Sequence, residues 1–161
     1  TPEIYTLSLH DALPIWRFGY RKNIHIWLTP GDYQNANLMI LLGYIISGHA
    51  EWKESQIELF AAFNRESMEQ EVERLNELII RGRIPISLTN VNKIPLRKEI
   101  RFDELVNEYS ESSDLVITGF SLKKLQQDGG AFLKGFDRIR DILFVRASQD
   151  ILIVEENSVP S

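Results

Sequence analysis

An α/β domain on a mostly parallel sheet is expected from three features of this chain. Short apolar runs rich in β-branched and aromatic residues alternate with helical patterns along most of its length. Two late runs, residues 114–120 (DLVITGF) and 142–146 (ILFVR), are apolar at nearly every position, as strands covered by helices on both faces tend to be. The 161 residues, 43% hydrophobic and 25% charged, suit one soluble domain of ordinary size.

The elements follow in order. Ile24–Leu28 alternates and reads as the first strand, stopped by Thr29-Pro30-Gly31-Asp32. A helix over about Tyr33–Ser47 follows, with Asp32 as N-cap and Gly48 as stop. Gln56–Phe63 reads as strand two. Asn64 or Ser67 then caps a helix to Arg81 whose apolar positions Met68, Val72, Leu75 and Ile79 share one face. Residues 84–91 read as strand three, with Pro85 at its start or on an edge. Phe102–Tyr109 is a short helix, and residues 114–120 form strand four. A helical piece from Leu122 is broken at Gly129-Gly130 and resumes to about Arg140. Residues 142–146 form strand five. A turn at 148–150 returns the chain as a short antiparallel edge strand over 151–155, before a frayed tail at 158–161. Right-handed crossovers make the first five strands parallel.

Composition excludes several functions. With 18 Lys+Arg against 23 Asp+Glu, the net charge of −5 is not the basic footprint of a nucleic-acid binder. The absence of Cys excludes disulfides, zinc ribbons and thiol catalysis. The longest apolar run, Leu38–Ile46, is too short to span a bilayer. His25 and His49 have no neighbours at ligand spacing, so no metal site is expected. Ser110, Ser112 and Ser113 lie beside Glu111 and Asp114, but no general base stands at a recognisable spacing and no nucleophile elbow occurs. No GxGxxG or Walker loop is present. No catalytic residue and no cofactor is expected, and the chain is not read as an enzyme.

Two features remain. Pro30-Gly31-Asp32 sits just beyond the first strand, where doubly wound sheets often bind ligands, though it is also what a tight βα turn needs. The first helix carries consecutive apolar residues, Leu38 to Leu42 and Tyr44 to Ile46, which cover all its sides. One side packs on the sheet. The other needs cover from a neighbouring helix, a dimer partner or a preceding domain. Met39, Ile40, Tyr44 and Ile46 are the candidate interface residues.

Resemblance sharpens this reading. Residues 5–15 (YTLSLHDALPI) resemble a translated sequencing adapter, with the likeness extending over 2–15, and residues 1–15 are set aside as non-native. Residues 16–157 are then one domain of net charge −3, its upstream natural sequence cut away.

Four segments together resemble the cytosolic C-terminal domain of cation-chloride cotransporters, in the amino acid-polyamine-cation transporter superfamily. NIHIWLTPGDYQNANLMILLGYII (23–46) is similar to the family's IDxWW-like strand, turn and LLLxYLL helix. EWKESQIELF (51–60) is similar to its W-x-x-x-x-I-R-x-F strand. FDELVNEYSESSDLVITGF (102–120) and ILFVRASQDILIVEE (142–156) resemble its DLV strand and closing strand pair. Prokaryotic Na-K-Cl cotransporter-like members look most similar. Leu28 departs from the second Trp of many members.

The resemblance implies a universal-stress-protein-like sheet of order 3-2-1-4-5. It implies a preceding transmembrane domain as partner, a homodimer, and a place on the cytoplasmic face of the cell inner membrane. The domain would regulate and assemble the transporter and carry no ion site. The alternative is a stand-alone nucleotide-binding module of the stress-protein type. The ATP-binding branch of that fold has G-x-x-G-x9-G-[ST] after strand four. Here Gly119 is followed by Phe120, Ser121 and then Leu122 in place of the second Gly, so ATP binding is not expected. Pro30, Gly31, Asp32, Gly119 and Ser121 are the residues of any ligand crevice.

Overall fold

A computed structural model describes residues 21–81 and 86–147. The adapter-like segment, Pro85, the 151–155 strand and the tail lie outside these residues. Five parallel strands, β1 (Asn23–Leu28), β2 (Gln56–Asn64), β3 (Val91–Leu96), β4 (Leu115–Gly119) and β5 (Ile142–Val145), form one sheet of order β3-β2-β1-β4-β5. The helices are α1 (Tyr33–Ser47), α2 (Met68–Arg81), α3 (Phe102–Ser110) and α4 (Leu122–Asp128).

Alternation along each strand sorts the side chains into two cores. Val91, Leu59, Ile26, Ile117 and Leu143 stand in register across all five strands, and this row packs under α1 and α2. The next row, Asn92, Phe60, Trp27, Thr118 and Phe144, faces the other way. There Trp27 stacks on Phe60 at 4.7 Å and meets Phe102 edge-on, beneath Leu105 and Val106 of α3. Met68, Val72, Leu75 and Ile79 are the buried stripe of α2, as their spacing requires.

Two expectations are corrected. Strand three, expected over 84–91, is seen from Val91 to Leu96, and the described residues 86–90 before it are not strand. Ser87 accepts a hydrogen bond from the Thr89 amide and turns residues 88–90 into a 3₁₀ turn, so pairing starts at Val91. Among the described residues β3 is an edge strand, pairing only with β2, and an edge is where Pro95 is tolerated. The helix from Leu122 does not resume to Arg140. Left-handed Gly129 and Gly130 end it, only a 3₁₀ turn at Ala131–Leu133 follows, and an irregular stretch lays Phe136 and Ile139 on the Trp27 core.

Candidate functional site

The crevice at the topological switch point lies between the C-terminal ends of β1 and β4. The structure brings Asp32 and Gly119 together there, 87 positions apart in sequence. Asp32 does not cap α1 with its side chain. Its Oδ2 instead accepts from the Thr29 amide at 2.9 Å and the Thr29 hydroxyl at 2.6 Å, and its Oδ1 accepts from Asn35 at 3.2 Å. Two donors at the strand end outcompete the helix amides. Asn35 in turn accepts from the Ala147 amide at 2.8 Å, tying the exit of β5 to α1. A Cβ at position 119 would run into the Asp32 carboxylate, so glycine is what lets the carboxylate fill this space. Pro30, Gly31 and Ser121 stand exposed on the rim. The crevice therefore holds a buried carboxylate at the helix N-terminus, where nucleotide-binding folds receive phosphate. A phosphate there would face like charge.

A second cluster was not legible in the sequence. Trp27 Nε1 donates to Ser110 Oγ at 2.9 Å, and Ser110 Oγ lies 2.8 Å from His25 Nδ1. Indole only donates, so Ser110 Oγ accepts from Trp27, while its bond with His25 Nδ1 runs in either direction according to the imidazole tautomer, and the other ring nitrogen of His25 is Nε2. That nitrogen faces Glu58 at 3.9 Å, and Glu58 accepts from Asn92. Serine, histidine and carboxylate thus stand in a row. Ser110 is fully buried, however, and its hydroxyl is engaged by Trp27, so the row fastens β1 to α3 rather than presenting a nucleophile. Burial lowers the His25 pKa, with Glu58 and Asp114 opposing the shift. Among the described residues, no group of three or more His, Asp or Glu is placed to hold a metal.

The candidate interface divides. Met39 and Ile40, expected to face outward, are fully buried against the sheet with Ala36 and Gly43. Gly43 permits that approach, since a Cβ there would stand 2.8 Å from Ile26 Cδ1. Ile46 is half-buried at the core margin. Tyr44 is 49% exposed, and Ile45, missed in the sequence, is 58% exposed. With half-buried Leu41 they form an outward apolar stripe at i, i+3, i+4. Gly43 was the available signal: a glycine in mid-helix marks the side of close approach, which puts 41, 44 and 45 opposite.

At the other end of the sheet lies an open groove of about 580 Å³ beside the C-terminal half of α1. Ile45, Ile46, Leu115 and Leu143 line it, together with Glu51, which pairs with Arg21, buried Asp114, and Asp141. Among the described residues, no helix is long and apolar enough to cross a membrane.

Known proteins agree with this architecture. The chain has the fold of a universal stress protein solved in complex with cAMP, with a TM-score of 0.50 over 78% of this chain and 96% of that one, at 13% identity. It is 31% identical over 137 residues to the bumetanide-sensitive sodium-(potassium)-chloride cotransporter of the moth Manduca sexta, an alignment covering 80% of this chain. The chain spans 12% of the length of that relative, an insect protein where the sequence patterns looked most similar to prokaryotic members. The family model of solute carrier family 12 matches residues 19–115. Sequence, strand order and relatives converge: the chain belongs to solute carrier family 12.

Proposed function

We propose that this chain is the cytosolic regulatory and assembly domain of a cation-chloride cotransporter, non-catalytic and without an ion site of its own. Its partners are the protein's own transmembrane domain and a second copy of itself, at the cytoplasmic face of the membrane holding the transporter. The observation that carries the reading is the outward stripe of α1. Tyr44 and Ile45 stay exposed on a domain whose family couples it to a transporter. Burying one large aliphatic side chain is worth about 1.5–3 kcal/mol, so such a stripe favours a partner surface. The stand-alone nucleotide module draws on the fold likeness alone, and the Asp32 carboxylate in the switch-point crevice weighs against it.

The test is chloride-dependent cation uptake by the full-length protein carrying Tyr44→Lys and Ile45→Lys. Both side chains are exposed, so the domain itself folds. Altered flux at equal surface expression supports the reading. Unchanged flux and unchanged oligomeric state reject it.

A further inference from the structure

His25 sits where β1, β2 and α3 meet. The strand period puts it on the same face of β1 as Trp27, under α3 and away from α1. Its Nδ1 is hydrogen-bonded to Ser110 Oγ of α3 at 2.8 Å, and the same oxygen accepts from Trp27 Nε1. Its Nε2 looks at Oε1 of Glu58, its register partner on β2, across 3.9 Å. That is too long for a hydrogen bond. The other oxygen of Glu58, Oε2, accepts from the Asn92 side chain of β3 at 3.1 Å. The polar row from α3 to β3 is complete except for the gap between Nε2 and Glu58.

A proton closes that gap. A neutral imidazole donates from one nitrogen only, whichever tautomer it holds, whereas imidazolium donates from both. Ser110 Oγ has two lone pairs, enough to accept from Trp27 and from Nδ1 together. Nε2–H then points at a carboxylate, and a charge-assisted bond of about 2.8 Å draws Oε1 in by about 1 Å. The Glu58 side chain is 37% exposed, so it has room to move. The charged groups acting on His25 are Glu58 from β2 and Asp114 from the entry of β4, while α3 offers the neutral Ser110 and β2 the ring of Phe60, 4.8 Å away. Burial outweighs both carboxylates, and the ring takes its proton below the ordinary 6.5.

We propose that His25 is a proton-operated latch: protonation joins Glu58 to the ring and makes one continuous chain of hydrogen bonds from Trp27 and Ser110 to Asn92, coupling α3 to β3. The latch reaches the surface at both ends. Tyr109, 45% exposed, packs on Trp27 and Phe60, and Glu58 stands partly exposed beside Asn92. Acidification thus acts on the α3 side of the sheet, opposite the α1 stripe on which the assembly reading rests.

Nuclear magnetic resonance of the full 161-residue chain, titrated downward from pH 8, tests this. The His25 ring, the Trp27 indole N–H and the Asn92 side-chain amide should shift together, with one midpoint below 6.5. His25→Gln should abolish that step in both reporters. Glu58→Gln should keep the Trp27 step, at lower pH because an attracting carboxylate is gone, and reduce the Asn92 shift at least threefold. An Asn92 amide that stays still while the ring titrates, or that still titrates in His25→Gln at the pH of an ordinary carboxylate, would overturn the proposal, since Glu58 would then answer only to its own proton. An Asn92 shift undiminished in Glu58→Gln, or unfolding seen by circular dichroism before the ring titrates, would overturn it as well. None of these outcomes bears on the flux test, so the two readings fail separately.

Discussion

Removing the Asp114 carboxylate should loosen the start of the central strand. Asp114 is 3% exposed and stands just before β4. Its Oδ2 accepts from the backbone amides of Lys22 at 2.8 Å and Asn23 at 3.1 Å, so it holds the entry of β1. Its Oδ1 pairs with Arg140 at 3.1 Å, just before β5. One carboxylate thus fastens three neighbouring segments beside the groove. A hydrogen bond to a charged group is worth about 1.5–3 kcal/mol. Lys22 is exposed, so water can replace part of what is lost, and the lower end applies to each amide. The Arg140 side chain is 46% exposed, which holds that pair to under about 1 kcal/mol. Asp114→Ala should then cost about 3 kcal/mol, and Asp114→Asn, which keeps one acceptor, about half of that. Urea unfolding followed by circular dichroism measures both. With a slope of about 2 kcal/mol/M, the alanine midpoint falls by about 1.5 M. A loss under about 0.5 kcal/mol for Asp114→Ala would refute the reasoning, because the amides would then need no anionic partner.

Other consequences are as definite. Gly43→Leu should cost about 1–3 kcal/mol by pushing α1 off Ile26, whereas Gly43→Ala should be near neutral, since a helix-propensity gain of about 1 kcal/mol offsets the contact; paired thermal melts check this. His25 should make stability depend on pH. Its folded pKa lies below the ordinary value of 6.5, so the unfolded chain binds the proton more readily, and the stability present above pH 6.5 is lost as pH falls through the folded value. Urea midpoints between pH 7.5 and pH 5 should drop more steeply for the wild type than for His25→Gln. Calorimetric titration with ATP and with cAMP should give no dissociation constant tighter than about 1 mM, and a low-micromolar value, about −8 kcal/mol, would restore the nucleotide-module reading.

The physics of legibility differs between elements. β1, β2, β4, β5 and the α2 stripe were readable because burial imposes a local period, two in the strands and near four in Met68–Val72–Leu75–Ile79. Strand three was misplaced because residues 84–91 and 91–96 both carry β-formers, and only the side chain of Ser87 decides where the extended chain begins. Strand order came from family likeness rather than from any local pattern. The crevice residues were visible singly, as a turn and a glycine. That Asp32 fills the space over Gly119 is a tertiary fact no spacing encodes. The same holds for His25, Ser110 and Glu58, which come from three elements. On α1 the composition announced excess apolar surface but not its direction. Met39 and Ile40 went to the core, and Tyr44 stayed outside with Ile45.

The central claim is that the outward stripe of α1 is covered in the full-length protein. Site-specific maleimide labelling tests it most directly. With Tyr44→Cys, the cysteine should label rapidly in this isolated chain at low concentration and at least tenfold more slowly in the full-length transporter, while Ile80→Cys labels equally in both. Equal labelling of Cys at position 44 in the two settings would contradict the account.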